Sequence, residues 1–224
     1  METLTNLPGD LIDYYFKGGL VMHPISLLSV ASLAVIIYKL IVFFQVRLNL
    51  NEFVGKMRGS LLKGSVKGAI EVCEEFGGPV GAIMKSGLLK HGRPRDEIEK
   101  TMENAAIHEI AYLERYLTVL ATVANIAPLL GFLGTVVGMV ISFDVIATQG
   151  LNDPGAVAGG ISQALLTTAY GLIVAFFTQP FYNYFTSKVA TYTRQIETAV
   201  NILFESLDEM DRSDATEPVR TVKA

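Results

Sequence analysis

Residues 117–143 read LTVLATVANIAPLLGFLGTVVGMVISF, and residues 154–187 read PGAVAGGISQALLTTAYGLIVAFFTQPFYNYFTS. Neither stretch contains a charged side chain. Each exceeds the roughly 20 residues that an α-helix needs to cross about 30 Å of hydrocarbon. They predict transmembrane helices over 117–147 and 155–187, joined by a short turn over 148–154. Pro128 lies inside the first of these helices, and we expect it to bend that helix.

A third apolar run, over residues 18–46, is interrupted only by His23 and Lys39. It predicts another transmembrane helix, in which the Lys39 side chain reaches toward the nearer membrane surface. Half of the 224 residues are hydrophobic, and the mean hydropathy is +0.40. The net charge of −4, with no dense Lys/Arg stripe, argues against a nucleic-acid-binding protein.

Lys and Arg residues are distributed unevenly between the segments outside the runs. Residues 47–116 hold eleven of them and residues 188–224 hold five, whereas residues 1–17 hold only Lys17 and the turn holds none. The positive-inside rule therefore places 47–116 and 188–224 in the cytoplasm, and 1–17 and 148–154 outside. Residues 1–17 carry three acidic residues, so we expect an uncleaved first helix rather than a signal peptide.

The segment 47–116 is predicted to be a helical cytoplasmic region. Ser65 suits the N-cap of a helix whose apolar stripe includes Cys73, and Gly77 and Gly78 end that helix. Pro94 suits the start of a further helix, which is expected to run without a break into the second span. In the tail, the residues from Asp208 onward are expected to fray.

Small residues recur three or four apart in both spans of the hairpin, and such spacing allows two helices to approach closely. The sets are Gly131, Gly134 and Gly138 in the second span, and Gly160, Ala164 and Thr168, then Thr167, Gly171 and Ala175, in the third. Because the third span carries two such strips, we expect protein to cover it on several sides, which favours a homo-oligomer. The alternative is a single tight hairpin.

Three uncharged polar residues stand out within the spans: Thr135, Thr168 and Gln163. Intramembrane polar residues usually face a bundle interior or a cavity, which favours a shared polar lining. The alternative for each threonine is a hydrogen bond to its own helix. Neither Thr nor Gln titrates near neutral pH, so a proton machine built on this chain needs a carboxylate from a partner.

Catalytic and metal-binding constellations are not recognisable in the sequence. His23, His91 and His108 fit no metal-ligand spacing, and Cys73, the only cysteine, lies on an apolar stripe. The sequence therefore predicts neither an enzyme nor a cofactor site.

The stretch from Asn125 to Gly138, NIAPLLGFLGTVVG, resembles the second-span motif of the MotA/TolQ/ExbB proton channel family. The stretch from Gly160 to Leu172, GISQALLTTAYGL, resembles its third-span motif, and Tyr182-Asn183 is similar to that motif's continuation. The motif-level resemblance covers about residues 110–190, and three spans fit the ExbB/TolQ-like branch better than the four-span flagellar branch.

The resemblance implies an all-α pentamer in the bacterial inner membrane, with a periplasmic N-terminus and a cytoplasmic C-terminus. Spans two and three would line a pore that holds a single-span ExbD/TolR-type partner carrying the proton-binding aspartate. Thr135 and Thr168 match the family's pore-lining threonines. Gln163 stands where many members have a glutamate, so a glutamate-dependent step does not carry over.

Three functions compete at this stage. The first is the channel and stator subunit of a proton-driven motor that energises an outer-membrane process, such as TonB-dependent import or Tol-Pal envelope maintenance, through a TonB/TolA-like protein. The second is a passive scaffold for a partner helix bundle. The third, an independent transporter or membrane enzyme, requires a buried charged or metal-binding site that the hairpin spans lack.

Overall fold

The computed structural model describes residues 13–46, 49–150 and 152–216, and these residues contain helices but no strands. The helices that position the site are α1 (Met22–Gln45), α6 (Leu117–Gln149) and α7 (Pro154–Thr216). Four others lie between them: α2 (Leu50–Leu61), α3 (Val66–Phe76), α4 (Gly78–Leu88) and α5 (Arg95–Glu114). Three helical stretches are long and apolar enough to cross a membrane, which confirms the all-helical, three-span class.

Several expectations fall partly outside the described residues. Residues 1–12 of the N-terminal segment lie outside them, as do Arg47, Leu151 of the turn, and residues 217–224, including Arg220 and Lys223.

The described residues belong to two compact units. The hairpin unit comprises the chain up to Leu40 together with Tyr116–Phe185, and the bundle unit comprises Ile41–Arg115 and the chain from Thr186 onward. In the hairpin unit, α1 packs on both arms of the α6–α7 hairpin. That contact is a buried cluster of Ile25, Val123, Ala127 and Val174, with Val21, Leu28, Leu130 and Tyr170 around it.

The expected unbroken helix from Pro94 into the second span is wrong. Arg115 has an extended backbone with φ −49° and ψ 133°, and Tyr116 is left-handed with φ 67°, so α5 ends at Glu114 and α6 begins at Leu117. The break involves neither Gly nor Pro, and helical periodicity cannot reveal it. The Tyr116 ring packs edge-on against Tyr38, with 5.7 Å between centroids, and this contact accompanies the strained conformation.

The Lys39 side chain is fully buried within the chain, and its expected reach toward the nearer membrane surface stays a prediction. Pro128 lies inside α6, which continues through it, and the expected bend stays a prediction.

The bundle unit packs α2 to α5 around the last part of α7. The Ser65 side chain accepts a hydrogen bond from the Gly68 amide at 3.0 Å, which confirms the predicted N-cap of α3. The expected fraying from Asp208 is wrong as far as Thr216, where α7 ends, and the rest of that expectation, over 217–224, lies outside the described residues. Leu207 and Met210 are buried in the bundle core, and Glu209 accepts hydrogen bonds from Arg58 at 3.0 Å.

Cys73 is 2% exposed in the bundle core, and burial raises the pKa of its thiol to about 12. Thiolate is the reactive form, so native protein at pH 8 should leave Cys73 unlabelled by iodoacetamide. After unfolding in denaturant, the pKa returns toward its ordinary value and labelling should be complete. Mass spectrometry of the intact chain measures both states, and rapid labelling of the native protein would contradict this packing.

Candidate functional site

The two arms of the hairpin approach so closely that several contacts tolerate no side chain. A Cβ atom on Gly138 would lie 2.5 Å from the Gly160 carbonyl oxygen and 2.8 Å from the Cβ of Ala164. A Cβ on Gly171 would collide with the Ala127 carbonyl oxygen. These distances are shorter than carbon and oxygen atoms tolerate, so the small residues set the distance between α6 and α7.

The remaining glycines of α6 lie in the same contact. A Cβ on Gly131 would lie 3.0 Å from the backbone of Thr167 and Thr168, and one on Gly134 would collide with the Thr167 side chain. Both small-residue strips of the third span therefore face α6 of the same chain. The single tight hairpin accounts for this pattern, so the pattern alone no longer argues for an oligomer.

The two predicted threonines differ in their hydrogen bonds. Thr168 donates its hydroxyl across the hairpin to the Gly131 carbonyl at 3.0 Å, whereas Thr135 donates to the Phe132 carbonyl of its own helix at 2.6 Å. In a regular α-helix the Gly131 carbonyl also accepts the backbone amide of residue 135. The Gly131 carbonyl thus relates the two positions, because it accepts the Thr168 hydroxyl and stands one turn before Thr135 in α6. Both threonine side chains are partly exposed.

Gln163 is not brought to the same face as the threonines. Its side-chain amide lies against Gly19, where a Cβ would be 2.5 Å from the Gln163 Nε2 atom. Gly19 has φ +70°, which suits only glycine there. Five residues separate Gln163 from Thr168, which is about 140° around a helix. The structure places Gln163 on the side of α7 that faces the start of α1.

Sequence analysis missed Ser142, which links the two arms near the turn. Its buried hydroxyl lies 3.1 Å from the Gly138 carbonyl and 3.0 Å from the Val157 carbonyl of α7. The signal was present, because Ser142 continues the four-residue spacing of Gly134 and Gly138.

The site carries no charge of its own between Leu117 and Phe143 or between Pro154 and Ser187. Among the residues that the structure describes, no group of three His, Cys, Asp or Glu side chains could hold a metal ion. His23 is exposed and packs against the Tyr15 ring, with 5.5 Å between ring centroids. Between these limits the hairpin therefore offers a closely packed, uncharged surface that carries hydroxyl groups.

Comparisons with known proteins agree with the sequence motifs. Residues 77–198 match the MotA/TolQ/ExbB proton channel family. A putative biopolymer transport protein ExbB homolog of Methanothermobacter thermautotrophicus is 29% identical over 198 residues, covering 88% of this chain and 70% of the relative. The putative ExbB-like 3 protein of Synechocystis is 34% identical over 182 residues, covering 80% and 84%. Biopolymer transport protein ExbB of Salmonella typhimurium is 35% identical over 115 residues, covering 50% and 47%.

Alanine substitutions test whether close approach holds the hairpin together. Gly138→Ala and Gly171→Ala should each destabilise the protein by about 1–3 kcal/mol, because the added methyl group meets backbone atoms that cannot move aside. Gly159→Ala is the matched control, since a Cβ there meets nothing within 4 Å. Thermal unfolding in detergent measures all three, and equal stability of the three variants would contradict the packing account.

Proposed function

Because the chain belongs to the MotA/TolQ/ExbB proton channel family, we propose that it is the channel and stator subunit of a motor driven by the proton-motive force. The observation that carries the proposal is the threonine pair on a closely packed hairpin whose spans carry no charge from Leu117 to Phe143 or from Pro154 to Ser187. The chain is a multi-pass membrane protein by its helices and family. We place it in the bacterial inner membrane, with the Lys/Arg-rich bundle unit in the cytoplasm.

The charge-free hairpin determines what the partner must contribute. A proton crossing the membrane on this surface needs a group that titrates near neutral pH, and the arms have no Asp, Glu, His, Lys or Arg between Leu117 and Phe143 or between Pro154 and Ser187. We propose that a single-span subunit of the ExbD/TolR type supplies a carboxylate at the level of Thr135 and Thr168. Hydroxyl groups both donate and accept hydrogen bonds, so they suit a carboxylate that alternates between its protonated and ionised forms.

A ring of copies around that partner follows from the same reasoning. One hairpin offers hydroxyls on one side only, and an ionised carboxylate in hydrocarbon requires polar surroundings on all sides. The pentamer expected from the family resemblance provides them, with α6 and α7 toward the axis. Moving one charge through 100 mV releases about 2.3 kcal/mol, so a mechanical step at a TonB- or TolA-like protein combines several protons.

A specific observation favours the scaffold alternative, since the Thr168 hydroxyl already bonds the Gly131 carbonyl. If that bond were its whole role, the threonines would serve packing only. The Gly131 oxygen uses the hydroxyl's hydrogen but leaves the Thr168 oxygen able to accept a further bond. The two roles are therefore compatible, and substitution distinguishes them.

Thr135→Val and Thr168→Val delete the hydroxyls and keep the side-chain shape. Both should lower proton flux at least about tenfold, because each removes a hydrogen bond to a charged group. Thr168→Val should also destabilise the protein by about 1 kcal/mol, and Thr135→Val by less. Thr→Ser variants should retain most of the flux. The measurement is dye-reported proton uptake by proteoliposomes that contain the chain with its co-purified partner.

Thr178→Val is the matched control, because the buried Thr178 hydroxyl bonds only the Val174 carbonyl of its own helix, at 2.7 Å. It should leave the flux unchanged. Normal flux in fully assembled Thr135→Val and Thr168→Val proteins would reject the motor reading and favour the scaffold.

A further inference from the structure

Two exposed amide side chains lie on the hairpin spans where lipid-facing residues are expected to be apolar. Asn125 of α6 donates to the Ala121 carbonyl at 2.9 Å, and Gln179 of α7 donates to the Asn183 side chain at 3.2 Å. The amides of Asn125, Gln179 and Asn183 are all exposed. Each retains acceptor capacity that hydrocarbon cannot satisfy, so the surface beside them requires water or protein.

The contacts of α1 give the depth of these residues. Gly19, just before α1, lies against Gln163, and Ser26 of α1 bonds Tyr170, so residue n of this segment is level with about residue n + 144 of α7. The 21 residues between Lys17 and Lys39, most of them in α1, include no Asp, Glu, Lys or Arg, and they are about as many as a helix needs to cross about 30 Å of hydrocarbon. On α7 this interval runs from about 161 to about 183. Gln179 therefore lies inside the membrane, and Asn183 lies at its cytoplasmic boundary.

The register of the hairpin relates the two arms. The residue numbers of facing pairs, such as Gly138 with Gly160 and Gly131 with Thr168, add up to about 300. Asn125 is thus level with about residue 175 of α7, and Thr135 with about residue 165. From the outside inward, the polar groups follow in the order Thr135, Thr168, Asn125, Gln179 and Asn183. Successive levels are about 5–11 Å apart at 1.5 Å per residue.

These five residues share one side of the hairpin. At about 100° per residue, Gln179 lies about 20° from Thr168 around α7 and Asn183 about 60°, while Asn125 lies about 80° from Thr135 around α6. Gln163 and Tyr170, which contact α1, lie on the opposite flank of α7. We call the side with the five polar residues the ladder face.

The ladder face is asymmetric along the membrane. From Thr135 toward the turn, its next exposed residues are apolar: Met139 and Phe143 on α6 and Ile161 on α7. Toward the cytoplasm the amides recur at every one to two helical turns, and they alternate with exposed apolar side chains, Phe132 on α6 and Leu172 on α7. The difference between the two sides is therefore the amides, which offer hydrogen bonds to water on the cytoplasmic side of the threonines only.

We infer that Asn125 and Gln179 hold water on the ladder face and form the cytoplasmic exit path for protons released at the threonines. This inference rests on the proposed function. Along the helix axes, one to three hydrogen-bonded waters at about 2.8 Å each cover a step of about 5–11 Å. The apolar outer end serves as a dry barrier, so protons cross that end only on the partner's carboxylate.

Water accessibility tests the inference without reference to proton flux. In a Cys73→Ser background, Asn125→Cys and Gln179→Cys should react with a charged, membrane-impermeant thiol reagent added to inside-out vesicles. Ile126→Cys and Phe177→Cys are exposed controls at nearly the same depths on another face, and should not react. Met139→Cys and Ile161→Cys on the outer part of the ladder face should also remain unlabelled. Lys90→Cys and Asn152→Cys report the cytoplasmic and outer sides respectively.

Proton flux provides a second readout. Asn125→Leu and Gln179→Leu should lower flux about tenfold, the effect of one lost hydrogen bond on the path, while Phe177→Leu keeps it. The partner should co-purify with all three variants. If Thr135→Val abolishes flux while the two leucine variants conduct normally and positions 125 and 179 label no more than 126 and 177, this inference is overturned and the proposed function stands. If the wild-type protein with its partner carries no flux, the proposed function fails, whatever the labelling shows.

Discussion

The close backbone approach of α6 and α7 is the constraint on which the rest of the hairpin unit depends. At Gly138 and Gly171 the partner helix supplies a carbonyl oxygen where any other residue would place a methyl group. This approach brings the Thr168 hydroxyl within bonding distance of the Gly131 carbonyl. It also fixes the register, and the register determines which polar residues share a face. A hairpin held farther apart would place the same residues at other depths.

The sequence predicted the three membrane-spanning helices but not all of the contacts between them. Long uncharged runs identify the three spans, because only helices satisfy their backbone polar groups in lipid. The four-residue spacing of small residues indicates close packing, but it does not say whether the neighbouring helix belongs to the same chain. The structure answers that question, since both strips of the third span lie against α6. The break at Tyr116 could not be predicted, because its left-handed backbone coincides with a packing contact to Tyr38 that is distant in sequence.

The candidate site shows a similar division. Thr135 and Thr168 stand out as hydroxyls in apolar runs, and family motifs indicate their role. Gln163 was grouped with them by residue type, which does not say which side of the helix the residue occupies. The structure places Gln163 on another side of α7, against Gly19. Asn125 and Gln179 carry amides in apolar stretches of the sequence. Their proposed role depends on how deep they lie in the membrane and on which side of the hairpin α1 leaves uncovered. Both quantities come from tertiary contacts rather than from periodicity.

The central claim is that the ladder face lines a pore around a partner helix, with α1 outside. The most direct measurement is a cryo-EM map of the chain purified in lipid with its co-expressed single-span partner. The account predicts five copies around an axis, with Thr135, Thr168, Asn125 and Gln179 facing the partner helix and Gln163 against α1. A ring in which α1 lines the axis, or one in which Asn125 and Gln179 face lipid, would contradict it.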